Sequence, residues 1–403
     1  MNVLMFGWEF PPYNSGGLGV ACEGLVRGLS QAGARVTFVL PKTLDCKSDY
    51  GKIIFADALR SGSHAKASVS AISGYISSTQ YAAFVEKYGL RHFYAADLFG
   101  EVMHYAQEAE HIALSEEFDI IHCHDWLACP AGLMAKRVSG KPLVVHVHAT
   151  ELDRTGGNNV DERVYNIEKE IFEQADVIIA VSNFTKNKIV RHYGIHPKKI
   201  RVVYNAIDYD DIPPFVQGIG GLKRLGKKIV LFVGRITLQK GPDYFIRAAK
   251  RVLEKNPDVI FIVAGSGDME RQIIEEAASL NIADKVLFAG FLRGDELIAL
   301  YRTADLFVLS SVSEPFGIAP LEALSHGVPV LISKQSGLSE VLVNSLKVDF
   351  WDINEMANKI LAVLTHKELH ETLKEHGQAE VKKMNWQDQA KKCIGIYQEV
   401  LRA

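Results

Sequence analysis

The sequence predicts an α/β protein made of two successive Rossmann-like α/β/α domains. Three observations predict it. Short apolar segments rich in β-branched residues alternate with helical patterns, as in parallel sheets covered on both faces. The alternation breaks once, in the stretch 205–228 containing IDYDDIPPFVQGIGG, dense in Gly, Pro and Asp, and then restarts. The chain has 403 residues, more than one hydrophobic core usually serves.

In order, the first half offers strands at Asn2–Phe6, Arg35–Leu40, Asp119–Cys123, Leu143–Val147, Asp176–Val181 and Arg201–Val203. A helix over Leu18–Gln31 is closed by Gly33. Residues 60–117 are less regular and read as helical, with Tyr81, Phe84, Val85 and Tyr88 at helical spacing. The second half offers strands at Ile229–Val233, Val259–Ala264, Val286–Ala289, Leu306–Leu309 and Val330–Ile332. Helices over Asp243–Glu254 and Met269–Leu280 lie between them, and the chain from Asp352 reads as helical. The expected division is a first domain at 1–204, a linker at 205–228, a second domain at 229–384 and a last helix at 385–403. Ligands of such sheets sit beyond the carboxyl ends of the strands, so chemistry is expected to face a cleft between the domains.

Composition narrows the function. The chain is 48% hydrophobic and 23% charged, which suits a folded protein. Residues 1–204 carry 21 Lys and Arg against 22 Asp and Glu, and the remainder 24 against 26. Neither half is basic, which argues against a nucleic-acid partner and against bulk attraction to anionic membranes, although a local basic patch for peripheral contact escapes such a count. The five cysteines are odd in number and scattered (Cys22, Cys46, Cys123, Cys129, Cys393), and read as reduced thiols of a cytoplasmic protein. Met1 leads straight into a strand, without the basic region of a signal peptide. No apolar run approaches a membrane span. Nothing indicates the oligomeric state.

The chemistry-bearing residues cluster after strands. In SEPFGIAPLEALSHG, Glu314 and Glu322 stand eight residues apart. Pro315 suits the first position of a helix, whose end would direct the amides of Phe316, Gly317 and Ile318 at an anion. Eight helical residues rise roughly 12 Å, the span from the hexose to the ribose of a nucleotide sugar. Upstream, IVLFV runs into Gly234-Arg235-Ile236-Thr237-Leu238-Gln239-Lys240-Gly241. Two fixed cations there, Arg235 and Lys240, suit a diphosphate and the charge that grows on it as it departs. VAGSGD places Gly265 and Gly267 after another strand, and Phe291 follows FAG at a further one.

In the first half, WEFPPYNSGGLG opens a helix with Gly16, Gly17 and Gly19, whose backbone can approach a phosphate or sugar closely. It is not a G-x-G-x-x-G fingerprint. FDIIHCHDWLA sets His124, Asp125 and Trp126 at a strand end, and VVHVHATELDRTGG does the same for His148, with His146 two residues back. His122, Cys123, His124 and Cys129 are ligand types, but their spacing fits no usual zinc pattern and neighbouring strand residues face opposite sides. No metal site is therefore expected. Asp208-Tyr209-Asp210 is a literal D-x-D within the linker and reads as chance.

The E-x7-E and G-R-x4-K-G patterns resemble those of retaining glycosyltransferases with the GT-B fold, especially family 4, which includes glycogen-synthase-like enzymes. HCHDWLA resembles that family's H-x-H-D-W segment, and the matches fall in the family's order across residues 7–322. The resemblance implies the GT-B fold, with the last helix crossing back to the first domain. It implies retaining, metal-independent and cofactor-free transfer of a hexose from a nucleoside-diphosphate sugar, ADP- or UDP-glucose, to a carbohydrate acceptor such as an α-glucan. Arg235, Lys240 and the amides around Gly317 would hold the leaving diphosphate. Glu314 would hold hexose hydroxyls, Glu322 the ribose, and His148 would contact the donor hexose. Gly16, Gly17, Gly265, Phe316 and Ile318 would complete the donor site, and His124, Asp125 and Trp126 an acceptor wall. Asn14-Ser15 stand where bacterial glycogen synthases carry Lys-Thr, a departure that counts against a bona fide glycogen synthase and leaves the wider family intact. A family 4 transferase acting on a lipid, disaccharide or polysaccharide precursor, a GT-B phosphorylase or epimerase, and a non-catalytic binding module are the alternatives.

Overall fold

Strands that are apolar on both faces assemble into two parallel sheets in the computed structural model, which describes residues 1–13, 16–59, 97–208 and 226–402. The helical reading at Tyr81–Tyr88, the Asn14-Ser15 departure, most of the linker and the last two residues of Asp208-Tyr209-Asp210 lie outside the described residues. The chain divides into two units. One comprises Met1–Glu151, Val160–Asn205 and Trp386–Ala403, and the other Leu152–Asn159 and Ala206–Asn385. Leu152–Asn159 thus falls in the second unit, where the sequence reading gave all of 1–204 to the first. One tie is visible: Ser313 Oγ donates to Asp153 Oδ1 at 2.6 Å.

The first unit's sheet has seven strands: β1 (Asn2–Phe6), β2 (Arg35–Leu40), β3 (Lys52–Phe55), β4 (Ile120–His124), β5 (Leu143–Val147), β6 (Val177–Ala180) and β7 (Ile200–Val202). Their order is β3-β2-β1-β4-β5-β6-β7. The second unit's sheet has six: β8 (Lys228–Val233), β9 (Val259–Ala264), β10 (Val286–Gly290), β11 (Leu306–Leu309), β12 (Val330–Ser333) and β13 (Leu346–Val348), ordered β10-β9-β8-β11-β12-β13. Both start in the middle, wind outward one way, then return to the other side of the first strand. The reversal leaves a crevice beyond the strand ends, between β1 and β4 in one sheet and between β8 and β11 in the other. Strands β3 and β13 are edge strands that the sequence reading missed; both are short and only partly buried.

Helix α1 (Gly17–Gln31) follows β1, α2 (Leu98–Ser115) precedes β4, and α3 (Asp125–Ser139) follows it. In the second unit, Gly241 takes a left-handed φ of 59° and Pro242 opens α4 (Pro242–Leu253). The core there packs Phe232 and Phe261 of the sheet against Phe245 of α4.

Helix α6 (Trp386–Arg402) belongs to the first unit and docks on α1. Two glycines one turn apart make this possible. A Cβ on Gly24 would stand 2.2 Å from the Trp386 indole nitrogen, and one on Gly28 would stand 2.6 Å from the Trp386 carbonyl oxygen. Trp386, Ala390, Cys393 and Tyr397 are buried by the approach. The return of the last helix to the first unit is therefore built on a groove without side chains.

Candidate active site

The second unit gathers its charged residues on the loops after β8 and β11, at the reversal of strand order. After β8, Arg235 donates to Gln239 Oε1 at 2.8 Å. The Gln239 carbonyl in turn accepts from the Val312 amide at 2.9 Å, beyond β11. Gly241 lets the loop close: a Cβ there would meet the Ser310 carbonyl oxygen at 2.4 Å, while Ser310 Oγ donates to the Gly241 carbonyl at 2.8 Å. The two loops are thus sewn together, and the seam brings Lys240 Nζ to 2.6 Å from Glu314 Oε2. Ser311 Oγ donates to the same carboxylate oxygen at 2.9 Å. Glu314 is 5% exposed, so its charge relies on these partners.

Glu314 is also fixed through its backbone. Its amide donates to the Gln335 carbonyl at 2.9 Å, and its own carbonyl accepts from the Gly337 amide at 2.9 Å. This corrects the expected helix. The chain bridges to the segment beyond β12 instead of coiling, and Gly317 at φ 103° lies outside helical geometry. Helix α5 begins only at Ala319 and runs to Ser325, with Pro320, not Pro315, in its first turn. The rise of roughly 12 Å expected for a continuous helix does not apply between Glu314 and Glu322. Phe316 and Ile318 point inward, at 2% and 8% exposure, so only their backbones can serve a ligand. Tyr301 donates to Glu322 Oε2 at 2.8 Å, and burial raises the Glu322 carboxyl above its ordinary range.

Gly265 has φ 143°, and a Cβ there would stand 1.9 Å from the Gly234 carbonyl oxygen. The loop after β9 is therefore backbone-packed against the loop carrying Arg235, and Gly267 similarly abuts Ile236. Phe291 is exposed, with the Arg293 guanidinium over its ring.

The first unit gathers neutral groups. Gly16 and Gly17 open α1 beyond β1. His124 at the end of β4 pairs in register with His146 of β5. Parallel pairing puts His122, His124, His146 and His148 in one group: His124 Nδ1 is 2.9 Å from His148 Nε2, and His146 Nδ1 is 3.2 Å from His122 Nε2. All four are buried. Burial pulls their imidazoles below the ordinary value, that of His148 to about 3, so they stay neutral at pH 7.

Asp125 and Trp126 are both buried. Asp125 adopts a left-handed φ of 55°, and its Oδ1 accepts from the His148 amide at 2.6 Å and the Ala149 amide at 3.2 Å. Trp126 lies against Phe99 of α2, with ring centroids 5.5 Å apart. The indole therefore presents no open plate to a sugar, and Asp125 holds the His148 loop in place. A core place for Trp126 is the other reading the sequence allows; the role of Asp125 it does not give, and it also missed Gln239, Ser311, Tyr301 and Tyr397, which carry no motif of their own.

Two family patterns match the chain: glycosyltransferase family 4 over residues 15–211 and glycosyl transferases group 1 over residues 220–380. An uncharacterised glycosyltransferase of Methanocaldococcus jannaschii is 30% identical, with 98% of each chain covered. This chain is a family 4 glycosyltransferase. It is therefore an enzyme of the hexosyltransferase class. A glycogen synthase of Mycobacterium tuberculosis is 27% identical over 85% of this chain and 80% of its own. Among solved structures, the Anabaena protein HepE in complex with UDP-glucose superposes with a TM-score of 0.70 at 18% identity, covering 98% of this chain and 99% of its own. This family 4 member thus has the GT-B fold. Among the described residues, no helix is long and apolar enough to cross a membrane.

Proposed function

We propose that the chain is a retaining hexosyltransferase that takes glucose from ADP- or UDP-glucose and passes it to a carbohydrate acceptor, with an α-glucan as the first candidate. One observation carries the reading: Lys240 and the buried Glu314 lie 2.6 Å apart, at the strand-order reversal of the second sheet. A paired lysine and glutamate offer an anion-binding head and a hydroxyl-binding carboxylate side by side. The β-phosphate takes Lys240 and Arg235, and Glu314 turns to hexose hydroxyls. The amides around Gly317, ahead of α5, face the same charge. The acceptor hydroxyl attacks C1 from the face the diphosphate leaves, and its proton passes to the leaving phosphate oxygen. Fixed cations take the place of a divalent ion on the diphosphate. His148 meets the donor hexose as a neutral imidazole, while His124 and Asp125 serve the site by setting the His148 ring and loop, and Trp126 packs beneath as core. Glu322 binds ribose.

The UDP-glucose held by HepE supports the donor class, and the likeness to a glycogen synthase supports the acceptor. Five free and buried cysteines suit work in the cytoplasm. The test is a screen of ADP-, UDP- and GDP-sugars for nucleotide release, with and without a panel of glucans and smaller acceptors. Acceptor-dependent release of ADP or UDP, abolished in Glu314→Gln, is expected. Conversion without any acceptor, or full rates in Glu314→Gln, would sink the reading.

A further inference from the structure

The four buried histidines of the first unit carry more than a donor contact requires. His122, His124 and His146 each offer one ring nitrogen, and these three atoms lie within 4.8 Å of one another. His122 Nε2 and His146 Nδ1 are 3.2 Å apart. That is about the edge of a tetrahedron around an ion with ~2.0 Å bonds to nitrogen. His124 Nε2, the atom this ring would offer, is buried and has no hydrogen-bond partner among the described residues. Buried ring nitrogens without a partner call for water or an ion. With Nδ1 as the atom His146 offers, the outward nitrogens of the other two rings are already held: His122 Nδ1 by the Tyr397 hydroxyl at 2.5 Å, and His124 Nδ1 by His148 Nε2 at 2.9 Å. Metal-bound histidines are fixed in this way, with the second nitrogen tied to an outer partner.

We infer that His122, His124 and His146 form a site for a divalent first-row transition ion with a preference for imidazole, with zinc as the probe. Such an ion is separate from any on the diphosphate. Bound to His124 through Nε2, it would leave the proton on Nδ1 and so fix which nitrogen of His148 accepts. The site is invisible to spacing along the chain, because it is made by the pairing of His124 with His146 across two strands.

The test uses the full chain expressed with zinc in the medium and desalted into EDTA, with metal measured by mass spectrometry. Roughly one zinc per chain is expected, and cobalt-grown protein should show the visible absorption of a tetrahedral centre. His146→Ala should lose both signals. Tyr397→Phe keeps every ligand and removes one outer hydrogen bond, so it should weaken zinc about 10- to 100-fold in chelator competition. Should His146→Ala fail to fold by circular dichroism, His146→Gln replaces it. Water alone in the cluster would give wild-type protein with no zinc above a buffer blank, which overturns the inference. Equal zinc in wild type and the His146 variant, or unchanged affinity in Tyr397→Phe, also overturns it.

Discussion

Both units wind their strands in the same order, yet they hold their polar groups in different ways. The first places four histidines within and just beyond β4 and β5, where burial keeps them uncharged. The second places Arg235, Lys240 and Glu314 on loops beyond β8 and β11, where hydrogen bonds and an ion pair sustain charge. A sheet interior offers no water to an ion, so groups there must be neutral or metal-bound. Loops past the strand ends can keep charge available to a ligand. The comparison is what the proposed function draws on when it gives the anionic end of the donor to the second unit.

The comparison is broken most directly at Lys240. Lys240→Ala should lower kcat about a thousandfold in the donor-release assay, with folding checked by circular dichroism. A rate within threefold of wild type would mean that charge in the second unit is not what catalysis uses. The first unit, by contrast, should be most sensitive to shape. Gly24→Val pushes a side chain into Trp386 and should lower the unfolding midpoint by about 8 °C, or ~3 kcal/mol, in a thermal melt.

A third test asks whether neutrality within the second unit has its own cost. Burial and the neighbouring Arg302 hold His326 at about 4, below its usual 6.5. The unfolded chain therefore takes up this proton first, and stability is lost as pH falls from 6.5 toward 4. Between pH 6.5 and 5 the loss should be about 1 kcal/mol, the full linkage being reduced by solvent screening of a partly exposed ring. Urea midpoints at the two pH values should converge by that amount in His326→Gln relative to wild type. The smallest effect concerns Glu322. Its raised carboxyl favours the protonated folded form, so its contribution fades as pH rises through the folded value. Glu322→Gln should raise the midpoint slightly at pH 8 while donor KM rises about tenfold. A fall in the midpoint would show the carboxylate to be stabilising.

How much of this was legible beforehand follows from range. Strand cores such as Ile229–Val233 and Val259–Ala264 announce themselves because both faces are apolar. Arg235, Lys240 and Glu314 were readable because loops after strands carry function in such sheets. The partners Gln239, Ser311 and Tyr301 were not, since they act through contacts set by folding. The helix start at Ala319 was misjudged because Pro315 and Pro320 are equally good openings, and the choice falls to Gly317 and to pairing of Glu314 with Ser336. The histidine group was underestimated because strand alternation was weighed within one strand and not across two.

The docking of α6 on Gly24 and Gly28 has a consequence for biosynthesis. The ribosome delivers the whole of Ala206–Asn385 before the segment that completes the first unit. A nascent chain must therefore carry an uncovered face of α1 while the second unit emerges and folds, so the half made first is the half finished last.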